Sequence, residues 1–243
     1  MGYIIEIATN DFTTTASAVD GGADRIELCA ALTDGGTTPS FATIKKCREA
    51  FGVQLFPIIR PRGGDFLYND EEFEIMTEDV RMCKQLGCDG VVIGMLKKNG
   101  SIDVKRTAAL INAAYPMEVT FHRAFDRCKE PFGALEQLTE LGCTRILTSG
   151  QKPTAPEGTP LIAELVRAAD ERIVIMPGSG VRTENIRELA EHTGAVEFHS
   201  SLRTKKKSKM QFIHPSFDQA DYMNPAIDAE EVRALRTALT SKP

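Results

Sequence analysis

The chain has 243 residues, 42% of them hydrophobic and 26% charged, which is the balance of a soluble globular protein with room for one large domain or two small ones. No apolar run approaches the roughly 18 residues of a membrane span, and the opening segment Met1 to Glu6 lacks the basic and apolar stretches of a secretory signal. A net charge of -5 with a pI near 5.5 argues against a general binder of nucleic acid or membrane surfaces, so neither is expected as a partner. Six cysteines without a CxxC predict free thiols and a cytoplasmic location.

Along the chain, glycines repeatedly close a polar helical stretch and open a short β-rich run. They are Gly22, Gly52, Gly87, Gly142 and Gly194, spaced 30, 35, 55 and 52 residues apart. A glycine just past a helix end accepts a left-handed backbone, after which a strand can start. One βα unit takes about 30 residues, so each long interval hides a further strand. In chain order the strands are expected at Tyr3–Ile7, Asp24–Leu28, Val53–Phe56, Asp89–Ile93, Met117–Phe121, Thr144–Leu147, Arg172–Met176 and Ala195–Phe198. Helices are expected at Glu71–Leu86, Val104–Ala114, Pro131–Leu141, Thr183–His192 and Ala229–Leu239, among others. Eight alternating units in this length predict an α/β fold, a TIM (β/α)8 barrel in a single domain over 1–243. Its core spans about 3–202, with an extension and last helix over 203–243. A doubly wound sheet would usually show glycines after the first strand, where this chain has Ala8-Thr9-Asn10-Asp11. Pro57 cannot donate to a ladder, so a bulge or twisted strand is expected there.

Chemistry in such barrels collects at the C-terminal strand ends. Those ends carry Glu27 and Cys29, Arg60 and Arg62, His122, Arg123 and Asp126, Thr148-Ser149-Gly150, Gly178-Ser179-Gly180, and His199-Ser200-Ser201; strand one carries Glu6. The opposite ends are expected to begin mostly with apolar or small polar residues. Glu27, Arg60, Arg62, His122 and Asp126 form the expected catalytic set. The arginines would fork an anionic group, Glu27 or His122 would move a proton, and Asp126 would orient a neighbour. A buried ion pair filling the mouth is the structural alternative for Glu27 and Arg60. Gly178, Gly180, Ser200 and Ser201 are expected to bind an anion or phosphate through backbone N–H groups and hydroxyls. The Lys205–Lys209 run is either a solvated loop or a cationic flap. Cys29 and Cys128 fall on the active face, and Cys29 is the expected soft-metal ligand. No HExxH, P-loop or zinc-type cluster is present, and no lysine stands clearly at a strand end, which disfavours a Schiff-base mechanism.

The segments Gly21 to Cys29, Ile59 to Phe66 with Tyr68, Thr120 to Asp126, Leu147 to Gln151 and Glu197 to Ser201 resemble those of the copper homeostasis protein CutC family. The resemblance implies a TIM barrel, a cytoplasmic homo-oligomer and a role in copper handling, with copper ion as a possible cofactor or partner. The chain departs from it at Ser179, where the family commonly has a third glycine, at Pro57, and from Thr204 to Pro225. Two functions compete. One is copper binding or trafficking, resting on the resemblance and Cys29. The other is a lyase- or isomerase-type enzyme acting by acid–base chemistry on a small anionic or phosphorylated carbonyl or sugar. A catalytically inert scaffold is the third option.

Overall fold

The computed structural model describes residues 2–216 and 218–240. Eight parallel strands alternate with helices: β1 (Ile4–Thr9), α1 (Phe12–Asp20), β2 (Arg25–Leu28), α2 (Phe41–Ala50), β3 (Gln54–Pro57), α3 (Asp70–Gln85), β4 (Gly90–Ile93), α4 (Val104–Ala114), β5 (Glu118–Phe121), α5 (Pro131–Glu140), β6 (Arg145–Thr148), α6 (Thr159–Ala169), β7 (Val174–Pro177), α7 (Ile186–Thr193) and β8 (Glu197–Ser200). An antiparallel hairpin, β9 (Thr204–Lys207) and β10 (Met223–Ala226), then precedes α8 (Ala229–Thr240). Helix α8 packs between α1 and α7, which makes it the eighth helix of the ring. The approach is tight: a Cβ on Gly21 would lie 2.5 Å from Val232 Cβ. This is the TIM barrel that the alternation predicts, with all eight strands where they are expected.

The ladders run β3-β2-β1-β8 and β4-β5-β6-β7, two parallel sheets of four strands. They meet at two seams. Between β3 and β4 there is a single bridge, Ile58 to Val92, with Ile59 N–H donating to Val92 O at 2.8 Å. Between β7 and β8 no strand pairing forms among the described residues, although the two run side by side. Pro57 explains the first seam. The N–H groups of Leu55 and Ile59 both point to the β4 side, so residue 57, on the same alternation, should supply the bond between them. The expected bulge is absent: Gln54 to Pro57 pair with Arg25 to Leu28 in unbroken register.

Side chains cross the seams where the backbone does not. Inside the lower barrel Arg25 Nε donates to Glu6 Oε2 (2.5 Å) and Arg25 Nη2 to Glu197 Oε2. Arg145 reaches Glu197 (3.0 Å) and Glu118 (2.8 Å), and both guanidiniums stand about 5.2–5.3 Å from the Phe56 ring. The expectation of apolar strand starts is thus overturned at β2, β5, β6 and β8. These charges are tolerated inside because each meets an opposite one. Burial works against the ionised Glu6, but Arg25 and the hydrogen bond from His199 hold its pKa down at about 2.

Local signals mostly match. Gly22, Gly87, Gly142 and Gly194 have positive φ, whereas Gly52 does not, because α2 ends in extended backbone at Phe51. Helix α7 starts at Ile186 rather than Thr183. The intervening turn is held by Asn185, which accepts from Arg182 N–H (2.9 Å) and donates to Gly180 O. The Lys205–Lys209 run is no plain loop: Lys205 to Lys207 are exposed and belong to β9, paired with Met223 to Pro225. No helix among the described residues is long and apolar enough to cross a membrane. All six cysteines are free and buried.

Candidate acid–base site at the barrel mouth

The strand ends enclose a cavity of about 170 Å3. Of the expected set, Glu27, Arg60 and His122 line it, joined by Ser179, Gly180, Ser200 and Ser201. His199, Arg123, Arg182 and Arg203 complete the charged lining, so Glu27 is its one carboxylate against four arginines.

Glu27 stands on β2 beside Ala8 of β1, whose methyl leaves the carboxyl room to face the cavity. It is 5% exposed, with only the Cys29 thiol as a side-chain hydrogen-bond partner among the described residues. His199 Nε2 is 3.7 Å away, beyond hydrogen-bond range. Burial, countered by His199 and reinforced by the Glu6 charge, lifts the Glu27 pKa to about 7. A carboxyl poised there can take or give a proton near neutral pH. Beneath it, His199 Nδ1 meets Glu6 Oε1 at 2.7 Å. Burial opposes the charged ring, yet the Glu6 bond and the charges of Glu27 and Glu6 raise the His199 pKa.

His122 is the opposite kind of histidine. Its Nδ1 accepts the Ala124 N–H at 3.1 Å, which leaves the proton on Nε2, and Nε2 is buried with no partner. Burial, and then the Arg60 charge, push its pKa down to about 3, so the ring is a neutral donor. Arg60 lies over the Phe66 ring at 5.2 Å and donates to the carbonyl oxygens of Asp34 (2.8 Å), Gly36 (2.6 Å) and Gly64 (3.0 Å). It makes no ion pair among the described residues, and its buried Nε is unpartnered. Neutral donor, carboxyl-free cation and poised carboxyl thus meet in one cavity.

The loop after β7 supplies the anion-binding geometry. Ser179 and Gly180 have φ of 75° and 74°, and the N–H groups of Ser179, Gly180 and Val181 bond no described protein acceptor. Successive N–H groups in a tight turn can form an anion-binding concavity. Serine adopts φ 75° less readily than glycine would, and its Oγ donates to Pro153 O at 2.9 Å. The Gly178 N–H is committed to Thr148 O (2.9 Å), so it drops out of the expected set. Ser200 Oγ donates to Val181 O (2.7 Å), while the Ser201 hydroxyl has no described partner.

Three expected residues stand apart from the cavity. Arg62 turns outward over Tyr68 because Glu72, Asp65 and Leu67 O hold its guanidinium. Asp126 is saturated: it accepts from Thr148 Oγ1 (2.5 Å), the Ser149 and Gln151 N–H groups, and Arg123 Nε (2.7 Å), clamping β5 to β6. Cys29 packs with Phe56, Ile58 and Val92 behind the cavity wall. Burial and the Glu27 charge raise its thiol pKa well above normal. Cys128 likewise sits outside, with its Sγ 3.6 Å from Gln151 Nε2. Among the described residues no three His, Cys, Asp or Glu side chains converge as a metal site. Sequence reasoning left Glu6 and His199 out of the site, although β-alternation places Glu6, Glu27 and His199 on inward positions of three neighbouring strands.

The CutC family profile matches residues 3–204. A Parabacteroides distasonis family protein CutC is 49% identical over 241 residues, covering 96% of this chain and 99% of that protein. A human protein named copper homeostasis protein cutC homolog is 42% identical, covering 96% of this chain and 88% of its own length. The crystal structure of CutC from Streptococcus agalactiae superposes with a TM-score of 0.79 at 35% identity, over 82% of this chain and 98% of that one. With its motifs, its barrel and its relatives in agreement over most of its length, the chain belongs to the CutC family.

Proposed function

We propose that the barrel mouth binds a small organic anion and moves a proton on it next to a carbonyl. Glu27 is the proton carrier, His122 Nε2–H and Arg60 polarise the carbonyl oxygen, and the Ser179–Val181 N–H groups with Arg182 hold the anionic head. His199, tied to Glu6, sets the field around Glu27. The observation that carries this reading is the buried Glu27 carboxyl, poised at about 7 in a cavity with two unpartnered buried donors. Hydroxy-carbonyl phosphates and carboxylates incubated with the protein in D2O test it by NMR. One class should exchange its α-proton, and Glu27→Gln should stop the exchange while leaving binding intact. Exchange surviving in Glu27→Gln, or none with any compound, overturns it.

The second reading is Cu(I) capture by Cys29, in keeping with the copper homeostasis name of the human relative. The supporting observation is that Cys29 packs directly against Ile58 and Leu32, which line the mouth. The donor set as folded offers one protonated, walled-off thiol and no second sulfur in the lining, which fits a soft metal less well than it fits an anion. A Cu(I) titration under reducing conditions decides it: equal affinities for wild type and Cys29→Ser remove this thiol. A cytoplasmic, homo-oligomeric protein remains our proposal, supported by the six free thiols and the family resemblance.

A further inference from the structure

Beside the mouth lies a second cavity of about 600 Å3, between the turn after β1, the loop after β2 and the β9–β10 hairpin. Leu32 and Arg203 line both cavities, so the two open side by side across one shared wall. That wall is pinned, because Arg203 Nη1 donates to Leu32 O at 2.8 Å. The larger cavity is faced by Leu32, Met223, Pro225, Ala226 and Ile227, and its only charged lining residues are the cations Arg203 and Lys205. Neither makes an ion pair among the described residues. Its volume falls in the range of about 300–1,000 Å3 typical of small-molecule sites.

We infer that this cavity holds the apolar arm of the same anion whose head enters the mouth, so that the ligand is an organic phosphate bearing an aliphatic or aryl group. The inference rests on the anion-binding reading of the mouth. Its occupant follows from three observations: the shared wall, an apolar lining, and cations without carboxylates where the arm passes toward its anionic head. A bare sugar phosphate would leave the apolar wall wet. From Lys205 onward the hairpin wall lies beyond residues 3–204, so part of the arm's lining is outside the region that the family profile covers.

Calorimetric titration with methyl phosphate and hexyl phosphate tests this. On the wild-type protein hexyl phosphate should bind at least tenfold more tightly, because the extra methylenes leave water. Two variants at accessible positions of the larger cavity, Thr33→Trp to fill it and Met223→Ala to remove part of its wall, should shrink that ratio while leaving methyl phosphate affinity unchanged. If both phosphates bind wild type equally, the arm site is wrong and the mouth reading stands. An undiminished ratio in both variants also refutes the arm site. If neither phosphate binds, this inference is refuted, and the mouth is left to carboxylates, which the exchange experiment in D2O reads separately.

Discussion

Gly94 lies so close to the His122 imidazole that a Cβ there would stand 2.3 Å from both Cε1 and Nδ1. The missing side chain of β4's end is what lets the ring of β5's end fold inward. Gly90 and Gly178 do the same for Phe56 and for Leu147 with His199, so small residues on one strand face large ones on another through the barrel. Gly94→Ala should therefore cost about 1–3 kcal/mol of stability by overpacking and displace His122 from its Ala124 bond. Thermal denaturation and phosphate titration check it; unchanged values in both would show that the ring has other room.

Glu27→Gln should reshape stability against pH. The folded carboxyl titrates at about 7 and an unfolded one near 4.3, so the native state holds the proton more tightly. That advantage is complete below the unfolded value and disappears as pH rises through about 7. The wild-type melting temperature should fall across this window and the variant's should not, leaving the variant the more stable at pH 8. Parallel curves would place Glu27 in contact with an unseen cation.

Glu6→Gln should do the reverse at the acid end. With its folded pKa near 2, Glu6 stabilises fully above its unfolded value of about 4.3, and that contribution is lost progressively as pH falls from there through about 2. The variant leaves Arg25 short of a charge partner in the barrel centre, at a cost of about 3–5 kcal/mol. It should melt well below wild type at pH 7, and the gap should narrow in strong acid. A gap that is constant with pH would mean that the charge is not what matters.

Arg60→Met should weaken phosphate binding at least tenfold. It should also lower the melting temperature by several degrees, since the carbonyls of Asp34, Gly36 and Gly64 lose their donor. Arg60→Lys, which keeps the charge, should recover part of the affinity. Phosphate affinity per folded molecule that is the same in the methionine variant and the wild type removes Arg60 from the site.

The strand ends were readable because glycine stops and βα spacing place each strand to within a few residues, and barrel geometry then brings Glu27, Arg60 and His122 together. Side-chain direction was less legible. Arg62 follows Arg60 by two residues, but Glu72, held in place by the capping box of α3, claims it. Asp126 has the right position, and its saturation depends on backbone N–H groups of a loop 23 to 25 residues away. The charged lower barrel was missed for a different reason. Arg25, Arg145 and Glu197 break the rule that interiors are apolar, and their pairing is visible only once strands distant in sequence are in register.

The two seams give the barrel the character of a pair of jaws. The first jaw, β8 to β3, carries Glu27, His199 and Arg60; the second, β4 to β7, carries His122, Arg123 and the Ser179–Val181 turn. A ligand seated in the mouth touches both, where the backbone itself offers a single bridge and a gap. Occupancy thus acts as a rivet, joining two halves that share few amide bonds, and amides flanking Val92 and Met176 would slow their hydrogen exchange when it is in place.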